Sequence, residues 1–191
     1  MAANADYQSI HSGDPVMTTQ TLAAEPETLR FGYGDTVLGT IVVAASMRGI
    51  VALFFGDDRA RLLRDLKDAF PEAALVLDQP GLAQTIAKAA ALIGAPHLET
   101  DLTLDLRGSP VELAVWHALR TIPAGETRSY GAIARSLPIA ATAQEVGAAC
   151  AANRVAVAVP CHRVVKSDGS ISGYRWGVRR KRRLINLEGV A

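Results

Sequence analysis

Val155-Ala-Val-Ala-Val159, followed at once by Pro160-Cys161-His162-Arg163-Val164-Val165, is the stretch on which the reading of this chain turns. Its first five residues alternate β-branched and small side chains without a charge, which reads as a buried strand-like run. The run delivers a cysteine and a histidine side by side. A thiol is strongly nucleophilic only as the thiolate, and a free cysteine has a pKa of about 8.5, so Cys161 needs a base or a positive neighbour. Neighbouring strand residues point to opposite faces, so direct contact with His162 is not implied and a bridging water is expected. A histidine base needs an orienting acceptor. Asp168 and Glu188 are the nearest acids downstream.

Upstream, the pattern is one of short helices. Ser109-Pro-Val-Glu112 combines a cap residue, proline at the first helical position and glutamate three residues after the cap. Val111, Val115, Ala118 and Ile122 follow at helical spacing, and Pro123-Ala-Gly125 ends the helix. Ser129 is placed to cap a second helix with Tyr130, Ile133, Ala134 and Leu137 on its apolar face, closed by Pro138. Thr142-Ala-Gln-Glu145 is a capping box that opens a third, whose inward face is Val146, Ala149, Cys150 and Asn153. The last two resemble a helix-turn-helix. Gly147, Ala148, Ala149, Ala151 and Ala152 leave the third helix nearly bare. Such a helix suits close approach to the minor groove of DNA, roughly 6 Å wide, or equally tight packing against its neighbours.

The N-terminal half reads differently. Residues 1–27 are polar and aperiodic, with Pro15 and Pro26, and read as a disordered leader. Phe31 to Phe55 reads as β, with apolar runs at Thr36–Val43 and Gly49–Phe55. Asp57 to Ala69 looks helical, stopped by Pro71, and Gly81 to Ile93 is a second amphipathic helix. Leu102-Thr-Leu-Asp-Leu106 alternates as a short strand. The expected organisation is a small α/β domain over 28–106 and a mainly helical domain over 107–191.

Composition narrows the function classes. With 49% hydrophobic and 20% charged residues, the chain can build a sizeable core and is not disordered as a whole. No run of 18 apolar residues exists, so no membrane span is expected. The first residues lack the pattern of a secretory signal. Two cysteines are too few for a disulfide scaffold or a four-cysteine zinc site, and a free thiol in a reducing, cytoplasmic setting is expected. The net charge of +1 is unevenly spread. Residues 1–100 carry 12 acidic and 7 basic residues, net −5, whereas residues 101–191 carry 7 and 13, net +6. A basic half points to an anionic partner, nucleic acid first, or to a solvated basic face.

Pro160 to Val165 resembles the active-site motif of the O6-alkylguanine-DNA alkyltransferases. Trp116 to Thr127, Ser129-Tyr130, Ala151-Ala-Asn153-Arg154 and Ser172-Gly-Tyr-Arg-Trp-Gly-Val178 resemble further family segments in family order, most like the C-terminal portion of the bacterial adaptive-response members. Leu29 to Leu106 resembles the N-terminal α/β domain of that family more weakly. The resemblance implies a ribonuclease H-like sheet followed by a winged-helix-like helix-turn-helix domain. It implies a DNA repair protein that flips O6-alkylguanine from duplex DNA, approached through the minor groove, and moves the alkyl group irreversibly to Cys161. Each molecule would act once, as a monomer, with no cofactor and no metal, in the cytoplasm or on the nucleoid.

It also implies roles. Glu188 is selected as the carboxylate of a Cys–water–His–Glu relay through Cys161 and His162. Tyr130 matches the tyrosine that supplies the departing guanine's proton or holds the base. Asn153 matches the asparagine tying the recognition helix to the active-site loop. Tyr174, Arg175, Trp176 and Gly177 match the wall of the base pocket. Thr142, Ala143, Gln144, Gly147, Ala148, Ala151 and Arg163 are the remaining candidates for DNA contact. One position departs: where family members carry an arginine that enters the vacated base stack, this chain has Gln144, followed by Glu145. Cys150, on the packed helix face, reads as structural, and His97 and His117, which lack a motif, as structural or surface residues. Arg179 to Arg183 reads as a charged helix face or a phosphate contact. Two rivals use the same residues: a damage sensor, against which the retained nucleophile argues, and an alkylation-responsive transcription regulator, against which the lack of a metal-bearing domain argues.

Overall fold

A computed structural model describes residues 26–97 and 101–189. Residues 1–25 of the expected leader lie outside them. Four strands form one sheet in the order β3-β2-β1-β4, comprising β1 (Thr28–Thr36), β2 (Gly39–Ala45), β3 (Ile50–Gly56) and β4 (Ala74–Leu77). The first three are an antiparallel meander, and β4 returns parallel to β1. The apolar run Thr36–Val43, expected as one strand, contains the first hairpin turn. Val37 and Leu38 form it, and Gly39 leaves it at φ +112, a conformation that favours a residue without Cβ. Strand β4 was not anticipated.

Helix α1 (Arg59–Ala69) begins where Asp58 accepts hydrogen bonds from the Ala60 and Arg61 N–H groups at 3.0 and 3.1 Å. Its Leu62 and Leu66 are fully buried, and it packs on β2 and β3, while α2 (Ala83–Gly94) packs on β1. Ile50 through Phe55 are all buried, so both faces of β3 are covered. The second half of the chain packs against the end of this strand, where Phe54 and Phe55 point to opposite faces. The Trp176 ring centroid lies 6.4 Å from that of Phe54 and 6.3 Å from that of Phe55. The outer edge of β3 is sealed too. Leu53 N–H donates to Arg154 O and Ala156 N–H to Leu53 O, at 2.9 and 3.0 Å. The expected strand at Leu102–Leu106 reduces to a single bridge between Leu104 and Ile50 on the same edge.

The helical half comprises α3 (Pro110–Arg120), α4 (Tyr130–Ser136), α5 (Ala143–Ala152) and α6 (Val178–Leu187), with two-residue strands β5 (Arg128–Ser129) and β6 (Val164–Val165) paired in parallel. The caps fall where local chemistry puts them. Ser109 and Glu112 form one capping box and Thr142 and Glu145 another, and Ser129 accepts from Ala132 N–H. Trp116 Nε1 donates to Ala149 O at 2.8 Å, fastening α3 to α5. Because the Thr142 hydroxyl accepts from the Glu145 N–H at the start of α5, Thr142→Ala is expected to cost about 1 kcal/mol. Urea unfolding at constant slope measures it.

The run Val155–Val159 is a correction. It is a tight arc, not a strand. Val155 bridges Leu53, then Ala158 N–H turns back to Ala156 O at 2.7 Å, a γ-turn around Val157 at φ +64. Pro160, at φ −82 and ψ 58, makes an inverse γ-turn closed by Cys161 N–H to Val159 O at 2.8 Å. A β-branched residue at positive φ is strained by about 1–2 kcal/mol, and Val157 is held there with its side chain buried. The alternating valines of this run mimic a strand because each is buried, although by different neighbours.

Candidate active site around Cys161

The arc ends in a 3-10 turn, Cys161–Arg163, rather than in extended chain. Asn153, the C-cap of α5, closes it from the other side. Its Nδ2 donates to Val159 O at 2.9 Å and to Cys161 Sγ at 3.2 Å, and its Oδ1 accepts from Val155 N–H at 2.8 Å. One buried amide thus fixes both ends of the arc and touches the thiol.

His162 and the side chain of Glu188 are wholly buried, with Nε2 2.7 Å from Oε1. Glu188 follows α6 as its C-cap. Arg163 Nε bonds both carboxylate oxygens at 3.1 Å and Nη2 adds a contact at 2.9 Å, while Nη1 donates to Ile122 O at 2.5 Å. Burial pushes the Glu188 carboxyl up, but the hydrogen bonds from His162 and Arg163 outweigh it and hold it below the ordinary range. An ionised Glu188 accepts, so Nε2 carries the histidine proton and Nδ1 has the lone pair. Nδ1 is buried without a hydrogen-bond partner among the described residues. Burial lowers His162, which leaves it a neutral base.

Burial pushes the Cys161 thiol up to about 11, against the opposing pull of Asn153 and the Lys181 ammonium. The resting group is therefore a thiol, and removing its proton is part of any reaction. Cys161 lies at a cavity of about 260 Å³, with Tyr130 and Gly147 on one side and Gly173, Tyr174 and Arg175 on another. Burial raises the Tyr130 phenol, which stays a proton donor. Its OH lies 2.5 Å from Ser172 Oγ.

Cys161, His162, Glu188, Tyr130 and Asn153 are thus brought together. Tyr174 and Arg175 line the cavity, and Gly147 and Ala151 reach it from α5. Thr142, Ala143, Gln144, Ala148 and Ala151 form an exposed small-residue surface on α5. Three expectations do not fit. Arg163 is buried against Glu188 and Ile122, so it holds the acid and does not reach DNA. Trp176 is buried in the cluster of Phe54, Phe55 and Tyr174, and neither it nor Gly177 lines the cavity. The basic run Arg179–Arg183 is not one face. Lys181 is fully buried, and Arg180 bonds Leu38 O, Trp176 O and Asp57, which leaves Arg179, Arg182 and Arg183 exposed. Cys150, read as structural, lines the cavity beside Cys161. Its spacing of three residues from Gly147 on one helix was the available signal.

A thiol and a tyrosine at a small cavity, a carboxylate-oriented histidine next in sequence to the thiol, and a helix with an exposed bare face define a protein built around one reactive cysteine. Comparison with known proteins then gives the family. The family model described as 6-O-methylguanine DNA methyltransferase, DNA binding domain, matches residues 110–190. The inducible methylated-DNA–protein-cysteine methyltransferase of Bacillus subtilis is 34% identical over 149 residues, 76% of this chain and 82% of that protein. The bifunctional transcriptional activator/DNA repair enzyme Ada of Escherichia coli is 42% identical over 160 residues, 84% of this chain but 45% of that protein. The chain spans about half the length of the first curated relatives it matches. Among solved structures, that of Mycobacterium tuberculosis OGT in complex with DNA superposes with a TM-score of 0.69 at 34% identity, covering 84% of this chain and 92% of that one. The chain belongs to the O6-methylguanine-DNA methyltransferase family.

Proposed function

We propose that this protein repairs O6-alkylguanine in duplex DNA by moving the alkyl group to Cys161. The observation that carries the reading is the buried His162–Glu188 pair with a free Nδ1 lone pair on the residue next to a thiol that lines a base-sized cavity. The thiol proton passes by way of a bridging water to Nδ1, and the imidazolium that forms is stabilised by Glu188. Sulfur attacks the alkyl carbon, the C–O6 bond breaks with its electron pair on the purine, and Tyr130 gives that anion a proton. The product thioether has no route back to the thiol, so each chain acts once. Because the alkyl carbon is inaccessible inside a duplex, the base must be flipped into the cavity. The bare surface of α5 suits approach along the minor groove. Intact-mass measurement after incubation with O6-methylguanine duplex tests the reading. A gain of one methylene on Cys161 is expected, and an unchanged mass overturns it.

The finer fold reading supports the same assignment. The β3-β2-β1-β4 order with a parallel fourth strand agrees with a ribonuclease H-like N-terminal unit over 28–106. The α4–α5 pair with the small β5–β6 sheet agrees with a winged-helix-like unit over 107–191. A cytoplasmic, DNA-bound monomer follows from this substrate.

Gln144 is exposed in the first turn of α5, and Glu145 is committed to the capping box through its bonds to Thr142. Flipping costs a few kcal/mol, part of which an inserted side chain offsets. Glutamine has a planar amide but no charge, whereas arginine has both a planar head and a charge for flanking phosphates. Gln144→Arg is therefore expected to speed duplex repair about fivefold at limiting protein and to leave transfer from a single strand unchanged. Single-turnover rates on the two substrates check this. Equal acceleration on both would remove Gln144 from flipping.

A further inference from the structure

Cys150 is a nucleophile at the cavity that the proposed reaction leaves unused. It is free, as is Cys161, and the two line the same space of about 260 Å³. Gly147, Cys150 and Ala151 all reach that space from α5, at the three- and four-residue spacing that puts side chains on one helix face. Of the three, only the thiol is reactive. Asn153 follows Cys150 by three residues, and its Nδ2 donates to Cys161 Sγ at 3.2 Å. One turn at the end of α5 thus carries both the amide that touches the Cys161 sulfur and a second sulfur. Burial first, and then the charge of a Cys161 thiolate, push the Cys150 thiol up to about 12. An alkylated Cys161 carries no such charge, so the second of these causes ends once transfer is complete.

We propose that Cys150 is a second acceptor, which closes a covalent bridge to Cys161 when the transferred alkyl group carries a leaving group of its own. The substrate class is an O6-alkylguanine with a second electrophilic carbon, a 2-haloethyl group being the simplest. The inference rests on the alkyl-transfer reading above and extends it to what happens in the cavity after the purine has left. Cys161 takes the group by the carbon attached to O6, which leaves a 2-chloroethyl thioether facing Cys150. The thioether sulfur displaces chloride from the far carbon. The C–Cl bond breaks with its electron pair on chloride, and a three-membered sulfonium ring forms. The positive charge of that ring favours loss of the neighbouring thiol proton. The Cys150 sulfur attacks a ring carbon, the ring C–S bond breaks with its pair on the Cys161 sulfur, and the thiol proton goes to water. A two-carbon bridge now joins the sulfurs, chloride and a proton have been released, and nothing is oxidised or reduced. Groups held in one cavity react at an effective concentration beyond that of a dissolved nucleophile. An uncaptured sulfonium would alkylate the DNA beside it, so the bridge removes a hazard that the transfer step creates.

The test is a mass measurement on two duplexes, one carrying freshly prepared O6-(2-chloroethyl)guanine and one O6-ethylguanine, which has no second leaving group. On the first, the wild-type chain is expected to gain two carbons and two hydrogens. Cleavage after Arg154 separates the two cysteines, and their peptides are expected to stay joined under reducing conditions. On the second, it gains a plain ethyl thioether and the peptides come apart. Cys150→Ala on the chloroethyl duplex is expected to end as a hydroxyethyl thioether, a gain larger than that of the bridge by one water, and to leave more protein covalently attached to DNA. The joined peptides are read in the wild-type chain, so the outcome does not depend on how well Cys150→Ala folds. A wild-type chain that ends with hydroxyethyl on Cys161, or a bridge mass that persists in Cys150→Ala, overturns the second acceptor and leaves alkyl transfer to Cys161 standing. A wild-type chain that gains nothing from either duplex brings down both.

Discussion

Cys161→Ala abolishes alkyl transfer and leaves affinity for damaged duplex unchanged, while the wild-type protein plateaus at one alkyl group per chain. The expectation follows from how the arc is held. Removing sulfur deletes a single contact of Asn153, the one to Sγ, and leaves its bonds to Val159 O and Val155 N–H in place. The exposed face of α5 does not involve Cys161. Binding and chemistry therefore separate at this residue. Transfer of labelled methyl, beside a binding titration, measures both. A labelled Cys161→Ala chain would put the acceptor at Cys150, the other thiol at the cavity. Its proton is held still more firmly, burial pushing it up to about 12. Turnover beyond one equivalent would contradict a thioether product altogether.

Glu188→Gln is expected to be strongly destabilising although it is a conservative change. It keeps the shape of the side chain and removes the one carboxylate that, among the described residues, bonds the buried Arg163 and His162. Breaking a buried pair from one side costs about 3–5 kcal/mol, because the remaining charge is left uncompensated. The sign of the pH dependence follows from the lowered Glu188 carboxyl. A carboxyl held below its unfolded value contributes stability that is present above that value and is lost as the pH falls through the folded one. The gap between wild type and Glu188→Gln in urea should therefore be full at neutral pH and narrow in acid. Alkyl transfer slows as well, since the imidazolium loses its counter-charge. A gap independent of pH would mean that the carboxylate is not ionised at this site.

Helix starts were legible because their chemistry is local. The boxes at Ser109 and Thr142 consist of residues three apart, and no distant contact alters them. Strand ends were less so. The turn at Val37–Leu38 lies inside an apolar run, and Leu38 is buried although it is not in a strand. Strand β4 is short, with Val76 and Leu77 exposed at the sheet's edge, so it lacks the buried alternation that marks a strand. Val155–Val159 shows the limit most clearly. Its composition says only that it is buried. The two γ-turns are imposed by Asn153 and by the edge of β3, partners that periodicity does not reveal. In the site, Cys161, His162 and Glu188 could be read because a motif names them. Lys181 could not, because a lysine flanked by four arginines looks like a solvated face until α6 is seen to turn it toward Val164 and Ser172. Arg163 was misread for the converse reason, as an arginine beside a DNA-binding motif that turns inward to an acid.

The arc between Asn153 and Cys161 makes chain length itself a property of the site. Its two ends are clasped by one amide, its edge is registered on Leu53, and both of its turns span three residues. A side chain within it can be exchanged for another of similar bulk. A single residue added or deleted would carry the sulfur out of reach of Asn153 and away from the cavity, whatever that residue was. Anyone transplanting this cysteine into another scaffold would have to move the segment from α5 to the 3-10 turn as one indivisible insert, together with a strand edge for it to rest on.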